Sequence, residues 1–136
     1  MADSILQVTA GVLLRDRTVL VCQRPPGGHH PGKWEFPGGK REAGESLEAC
    51  MHRELREELD IDAEVGRLLW RTQHQYPGRD RIALTFFLIP RYSGTLINRV
   101  FAAIGWVGID DLSAVDLLDG DREFVAQLVA GTVRLA

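Results

Sequence analysis

Glu54, Glu57 and Glu58 stand three and four residues apart in the run Glu45-Ser-Leu-Glu-Ala-Cys-Met-His-Arg-Glu-Leu-Arg-Glu-Glu-Leu-Asp60. On a helix this spacing puts side chains on one arc. In the same run Leu47, Met51, Leu55 and Leu59 recur at i, i+4 and make an apolar stripe that must face a core. Glu54 and Glu58 project beside that stripe, not opposite it, so like charges gather at the edge of the core. Such neighbours repel by a few tenths of a kcal/mol (about 0.2–0.5) when exposed, and by more when desolvated. A divalent cation removes the conflict, and carboxylate oxygens are the ligands that Mg²⁺ prefers. The competing reading is a solvated acidic face with an Arg53–Glu57 pair. The loop Pro37-Gly38-Gly39-Lys40 just before the helix weighs against it, because glycines let backbone carbonyls or N–H groups approach a ligand closely.

The elements that would hold this helix are legible from patterning. Ser46 is a good N-cap and Asp60 stands near the helix end. Ile5 to Leu14 reads as a strand, Arg15-Asp16-Arg17 as a turn, and Thr18 to Arg24 as the β-branched partner. Pro25 to Gly32, rich in Pro and Gly, is a loop; Trp34-Glu35-Phe36 is a short strand that Pro37-Gly38-Gly39 ends. Ala63 to Gln75 and Arg81 to Arg91 read as two long strands around a turn at Tyr76-Pro77-Gly78-Arg79-Asp80. Trp106-Val107 marks a further short strand, Asp110 to Leu118 a short helix, and Arg122 to Ala130 a final helix closed by Gly131. Strands dominate and two main helices cover a mixed, curved sheet, which is an α+β layered fold.

The bulk properties exclude several functions. The chain has 136 residues, enough for one domain, with 45% hydrophobic and 26% charged residues. A net charge of −3 is a poor footprint for stable nucleic-acid binding, which needs clustered Lys and Arg. A phosphorylated small molecule can still be held by a few local cations and a metal. Met1 to Ser4 lacks the basic start of a signal peptide, and the apolar run Ile82 to Pro90 is too short to span a bilayer, so a cytoplasmic protein without membrane association is expected. Cys22 and Cys50 lie in apolar segments and read as buried free thiols, without metal-ligand spacing. The composition sets no oligomeric state.

The segment around the helix resembles the Nudix hydrolase family, whose motif reads G-x5-E-x7-R-E-U-x-E-E-x-G-U with U aliphatic. Gly39, Glu45, Arg53, Glu54, Leu55, Glu57, Glu58 and Ile61 fill the motif across residues 39–61, and Asp60 alone departs, standing where glycine is usual. Asp tolerates left-handed backbone better than most residues, so a modest stability cost and an intact metal site are expected. Trp34 to Lys40, Arg24 and Tyr76-Pro77 extend the likeness to the MutT branch, which removes oxidised nucleoside triphosphates, and it covers roughly Val8 to Leu128. The resemblance implies a Nudix-like α/β/α sandwich over the whole chain, 1–136, and Mg²⁺, or Mn²⁺ in its place, as cofactor. Carried over residue by residue, Glu54, Glu57, Glu58 and the Gly38 carbonyl hold the metal. Arg53 orients a neighbouring glutamate, Glu54 or Glu57 takes a proton from water, and Glu45 supports the loop. Some MutT-like proteins carry a further glutamate in the loop before Trp106; here Asn98 to Gly105 has no acid, which leaves the base assignment open.

For the nucleotide, the resemblance offers Arg24 at a strand end, with a surface ion pair as the alternative. Lys40, Arg79 and Arg81 are candidates for phosphate contact, against plain solvation. Asp121 is placed to read a base edge. Ionised, it would accept hydrogen bonds from the cytosine N4 amine or from N1 and N2 of guanine; capping a helix at Arg122 is the alternative. Phe36 and Tyr76 either stack on a base or belong to the core, and His29 and His30 are loop surface. The implied reaction is pyrophosphohydrolysis of a nucleoside triphosphate, with 8-oxo-dGTP first. A cytidine triphosphate or nucleotide-sugar substrate is second, and a non-catalytic nucleotide sensor is the reading of another class.

Overall fold

The structure, a computed structural model, describes residues 5–136; the reading of Met1 to Ser4 lies outside them. Its centre is the parallel pair β1 (Ile5–Arg15) and β6 (Arg81–Ile89), in register from Ile5↔Arg81 to Leu13↔Ile89. β5 (Leu68–His74) lies antiparallel on the far edge of β6. On the other side β1 meets β2 (Thr18–Gln23) only at the hairpin, through Leu14↔Val19 and Arg15↔Thr18. Beyond that point the two strands diverge. β3 (Trp34–Glu35) takes the vacated edge of β2, while β8 (Ala103–Gly108) pairs along its opposite edge. The sheet is therefore mixed and forked, and the loop after β3 enters the fork.

Two helices cover the two faces. Helix α1 (Leu47–Leu59) buries Cys50, Met51, Leu55 and Leu59 against one face, beside Leu13, Leu20, Cys22, Phe87 and Ile89. Helix α2 (Asp119–Val129) packs Phe124, Val125 and Leu128 on the other, with Val12, Val21, Phe36 and Phe86. Alternation along the strands explains the division, since even and odd positions of β1 point to opposite faces. The expected α/β/α layering with two main helices is what forms. Cys22 and Cys50 are buried free thiols, and no helix among the described residues is long and apolar enough to cross a membrane.

Several boundaries differ from the sequence reading. The expected strand Ala63–Gln75 breaks at Val65–Arg67, where Gly66 N–H donates to the Leu88 carbonyl and Leu88 N–H to that of Arg67, into β4 (Asp62–Glu64) and β5. Its partner Arg81–Arg91 breaks at Pro90, which has no N–H to give to a ladder, leaving β7 (Arg91–Ser93) to pair with β4 in a small separate sheet. The short helix is a 3-10 helix, Ile109–Ala114, beginning one residue earlier. Helix α2 begins at Asp119, so Asp121 lies inside its first turn and is not an N-cap; the N-cap position belongs to Leu118.

Candidate active site

The fork in the sheet positions the Pro37–Lys40 loop. Having lost β2 as a neighbour, β1 bonds to the loop instead: Thr9 N–H donates to the Gly39 carbonyl (2.9 Å), Gly11 N–H to Pro37 (2.7 Å), and Arg41 N–H to Gln7 (2.8 Å). This close seating needs glycine. A Cβ on Gly38 would stand 2.0 Å from the Thr9 carbonyl oxygen, and one on Gly39 2.5 Å from the Glu54 carboxyl carbon. Among the described residues the Gly38 carbonyl accepts no hydrogen bond, so its lone pairs are free, while its N–H donates to Glu58 Oε1 at 3.0 Å.

Helix α1 brings the acids to that loop. Ser46 caps its N-terminus by accepting from Ala49 N–H, and Asp60 closes its C-terminus in the left-handed conformation (φ 59°). Arg53 organises the acidic face. Its Nε and Nη2 grip Glu45 bidentately (2.7 and 3.0 Å), Nη1 reaches Glu54 (3.0 Å) and Glu57 (3.2 Å), and Nη2 donates to the Lys40 carbonyl (3.1 Å). Glu45 also accepts from Glu42 N–H (3.1 Å), and these bonds hold its carboxyl down at about 2, as a structural strut should be. Arg53 thereby fixes the loop and aims two glutamates at once, a task suited to a planar fork of donors.

Glu54 and Glu58 are the strained members. Burial raises the Glu54 carboxyl, opposed by its bond to Arg53. Burial and the charges of Glu54 and Glu35 push Glu58 up to about 9 despite the Gly38 N–H. Buried carboxylates that resist ionisation and offer hard oxygen donors have the chemistry of a divalent-cation site. With Glu57 turned to Arg53 and Glu58 to Gly38, no three acidic, His or Cys side chains among the described residues already converge on one point.

Gly38, Gly39 and Lys40 also form one wall of a cavity of about 360 Å³, so the acidic helix and the cavity share a boundary. Phe36 and Asp121 also line it, with Arg24, His29, His30, Tyr76 and Arg79. Arg24 makes the expected ion pair, with Glu35 at 3.0 Å, but on the cavity wall, and donates to the His29 carbonyl at 2.7 Å. Arg79 meets His29 at 2.9 Å, and Lys40 is exposed at the rim. Arg81 bonds Gln75 and does not line the cavity. His29 and His30 lie on an exposed loop, as expected, and also border the cavity.

Phe36 is core, edge-on to Phe86 and Phe124, and shows the cavity only part of its surface. Tyr76 stands between His30 and His74, its hydroxyl accepting from Gly120 N–H at 2.9 Å. Asp121 is 5% exposed, and its Oδ2 accepts from Phe36 N–H at 3.3 Å. Burial, then the charge of Glu35, pushes its carboxyl up to about 8. This shift favours the protonated form, which can donate as well as accept, over the ionised form weighed from the sequence.

Glu35 was missed from the sequence. It neighbours Glu58 on one side and Asp121 on the other, and burial raises its own carboxyl against the pull of Arg24. The signal was present: Trp34 and Phe36 both pack into the α2-side core, so alternation turns Glu35 to the α1 face.

The chain is similar to known proteins. The NUDIX domain model matches residues 5–128. The chain is 36% identical over 126 residues to the CTP pyrophosphohydrolase of Escherichia coli, covering 93% of each. It is 30% identical over 124 residues to the 8-oxo-dGTP diphosphatase of the same organism, covering 90% of this chain and 95% of that one. Its fold superposes on the solution structure of the E. coli ORF135 protein with a TM-score of 0.84 and 34% identity, covering 94% and 91% of the two chains. With the glycine loop, the Arg53-centred acidic helix and the adjoining cavity in one constellation, this chain belongs to the NUDIX family and is a Nudix nucleoside triphosphate diphosphatase.

Proposed function

We propose that the chain is an Mg²⁺-dependent pyrophosphohydrolase that cleaves a (deoxy)nucleoside triphosphate to the monophosphate and pyrophosphate, with (d)CTP its substrate at neutral pH. The observation that carries the base assignment is the buried carboxyl of Asp121. Neutral, it presents a donor and an acceptor on neighbouring oxygens, which match N3 and the N4 amine of cytosine. The relative named CTP pyrophosphohydrolase supports this reading. A second reading, 8-oxo-dGTP, is favoured by the ionised form of the same group, which only accepts and so suits N1–H and the N2 amine of guanine. The relatives named 8-oxo-dGTP diphosphatase support it.

The donor set fits the cation: Glu54, Glu57, Glu58 and the Gly38 carbonyl offer hard oxygens at the boundary between helix and cavity. When bound, Mg²⁺ would neutralise charge on the phosphate oxygens and acidify water. The protein's own residues do the rest. Arg24, Lys40 and Arg79 draw the triphosphate along the cavity walls. Arg53 holds Glu54 and Glu57 in orientation, so that Glu54, whose carboxyl burial raises, can accept a proton from the attacking water. The segment 98–105, which leads into β8, carries no acid that could take this role.

The test is pyrophosphate release from CTP, dCTP, 8-oxo-dGTP, dGTP and ADP-ribose, with and without Mg²⁺. Turnover of at least one triphosphate, dependent on Mg²⁺ and lost in Glu54→Gln, is expected. No turnover of any triphosphate, or an unaffected Glu54→Gln, overturns the reading.

A further inference from the structure

The departure at Asp60 has a structural counterpart in the segment 94–102. Asp60 occupies left-handed backbone at the end of α1, where a side chain is costlier than glycine. Its Oδ1 accepts from Arg99 Nη2 at 3.0 Å. The backbone around Arg99 is bound to the same helix end: Arg99 N–H donates to the Glu58 carbonyl (3.0 Å) and Ile97 N–H to that of Leu59 (2.9 Å). These are two of the last carbonyls that a helix leaves without internal partners. Asn98 bonds both the N–H and the C=O of Phe101 (2.8 and 2.9 Å), which closes the segment into a fixed turn. Leu96 and Phe101 pack into the core beneath α1. At its far end Ala102 N–H donates to the Gln23 carbonyl (2.9 Å), beside Arg24. The segment is a strap from the acidic helix to the strand that leads into the cavity.

We propose that Arg99 is a positioning residue for Glu58, latching Asp60 and the strap so that the backbone beneath the Glu58 carboxylate is held in register with the Gly38 loop. In the family motif a glycine reaches the same turn without strain; here the Asp60–Arg99 pair stabilises it. The inference rests on the reading of Glu58 as a cation ligand. It predicts a sign that a through-space effect does not. A cation near a metal site opposes metal binding, so removing Arg99 by charge alone would tighten it. Removing a positioning latch loosens it.

The probe is Mn²⁺, titrated into metal-free protein, with free Mn²⁺ read by electron paramagnetic resonance and folding by circular dichroism. Arg99→Ala is expected to weaken Mn²⁺ binding about threefold to fivefold, as for a half-exposed ion pair. Arg99→Gln should match it and serves if the alanine variant does not fold. Asp60→Gly should restore affinity in the Arg99→Ala background to within about twofold of the parent, because glycine no longer needs the latch. Unchanged or tighter binding in both Arg99 variants overturns the inference, as does an equal loss with Asp60→Gly present. A parent that binds no Mn²⁺ overturns the metal assignment itself and the inference with it; a parent that binds beside variants that bind equally well removes only the latch.

Discussion

Asp121→Asn separates the two nucleobase readings and measures the cost of the buried carboxyl. In the fold the Asp121 carboxyl is raised from 3.8 to about 8, first by burial and then by Glu35. Between those values the unfolded chain has released its proton and the folded chain has not. Stability therefore falls as pH rises from about 4, by about 1.4 kcal/mol per pH unit, and levels off above the folded value. Asparagine is neutral throughout and keeps an oxygen for the Phe36 N–H, so the variant escapes this loss. The two proteins should melt together near pH 4. By pH 8 the variant should be more stable by on the order of 5 kcal/mol, which is roughly 15 °C or more for a domain of this size. Calorimetry of metal-free protein across pH 4–9 reads the first part. The second is the ratio of kcat/KM for dCTP to that for 8-oxo-dGTP. In the parent it should fall as pH passes from 7 to 9 and the carboxyl ionises, while in Asp121→Asn, which keeps one donor and one acceptor, it should stay flat. A variant less stable than the parent at pH 8 would refute the account of burial. A parent ratio that does not change with pH would refute the account of base reading.

Two further outcomes test the acidic helix. Glu58→Gln mimics the protonated side chain, whose carboxyl is pushed up to about 9, so the parent without metal loses stability from about pH 4.5 toward 9 and the variant does not. Metal-free Glu58→Gln should melt no lower than the parent at pH 8 yet lose both Mg²⁺-dependent turnover and Mg²⁺-induced stabilisation; a retained thermal response to Mg²⁺ would remove Glu58 from the ligand set. Gly39→Ala would place a Cβ 2.5 Å from the Glu54 carboxyl carbon and must displace that side chain. A kcat loss of up to about 100-fold with the fold intact is expected from such a misplacement, and full activity would show that Glu54 needs no fixed position.

The sequence by itself determined the features that depend on local spacing. Ser46, the Leu47–Leu59 stripe and the glutamate arc place α1 and its N-cap, because helical period and capping are properties of adjacent positions. The glycines at 38 and 39, Arg53 with its acids, and the family motif were legible for the same reason. The tertiary structure decided whatever depends on what lies across the fold. Pro90 and Gly66 split two long hydrophobic runs because β4 and β7 find each other and leave the main sheet. Asp121, a polar residue near a helix start in the sequence, becomes a buried neutral carboxyl only because Phe36 and Glu35 arrive from residues 85 and 86 positions away. Asp60 reads as a flaw in the motif until Arg99 is seen to meet it. Protonation and partnership are set by burial and by charges brought close in space, and a linear pattern carries the residue types but not those distances.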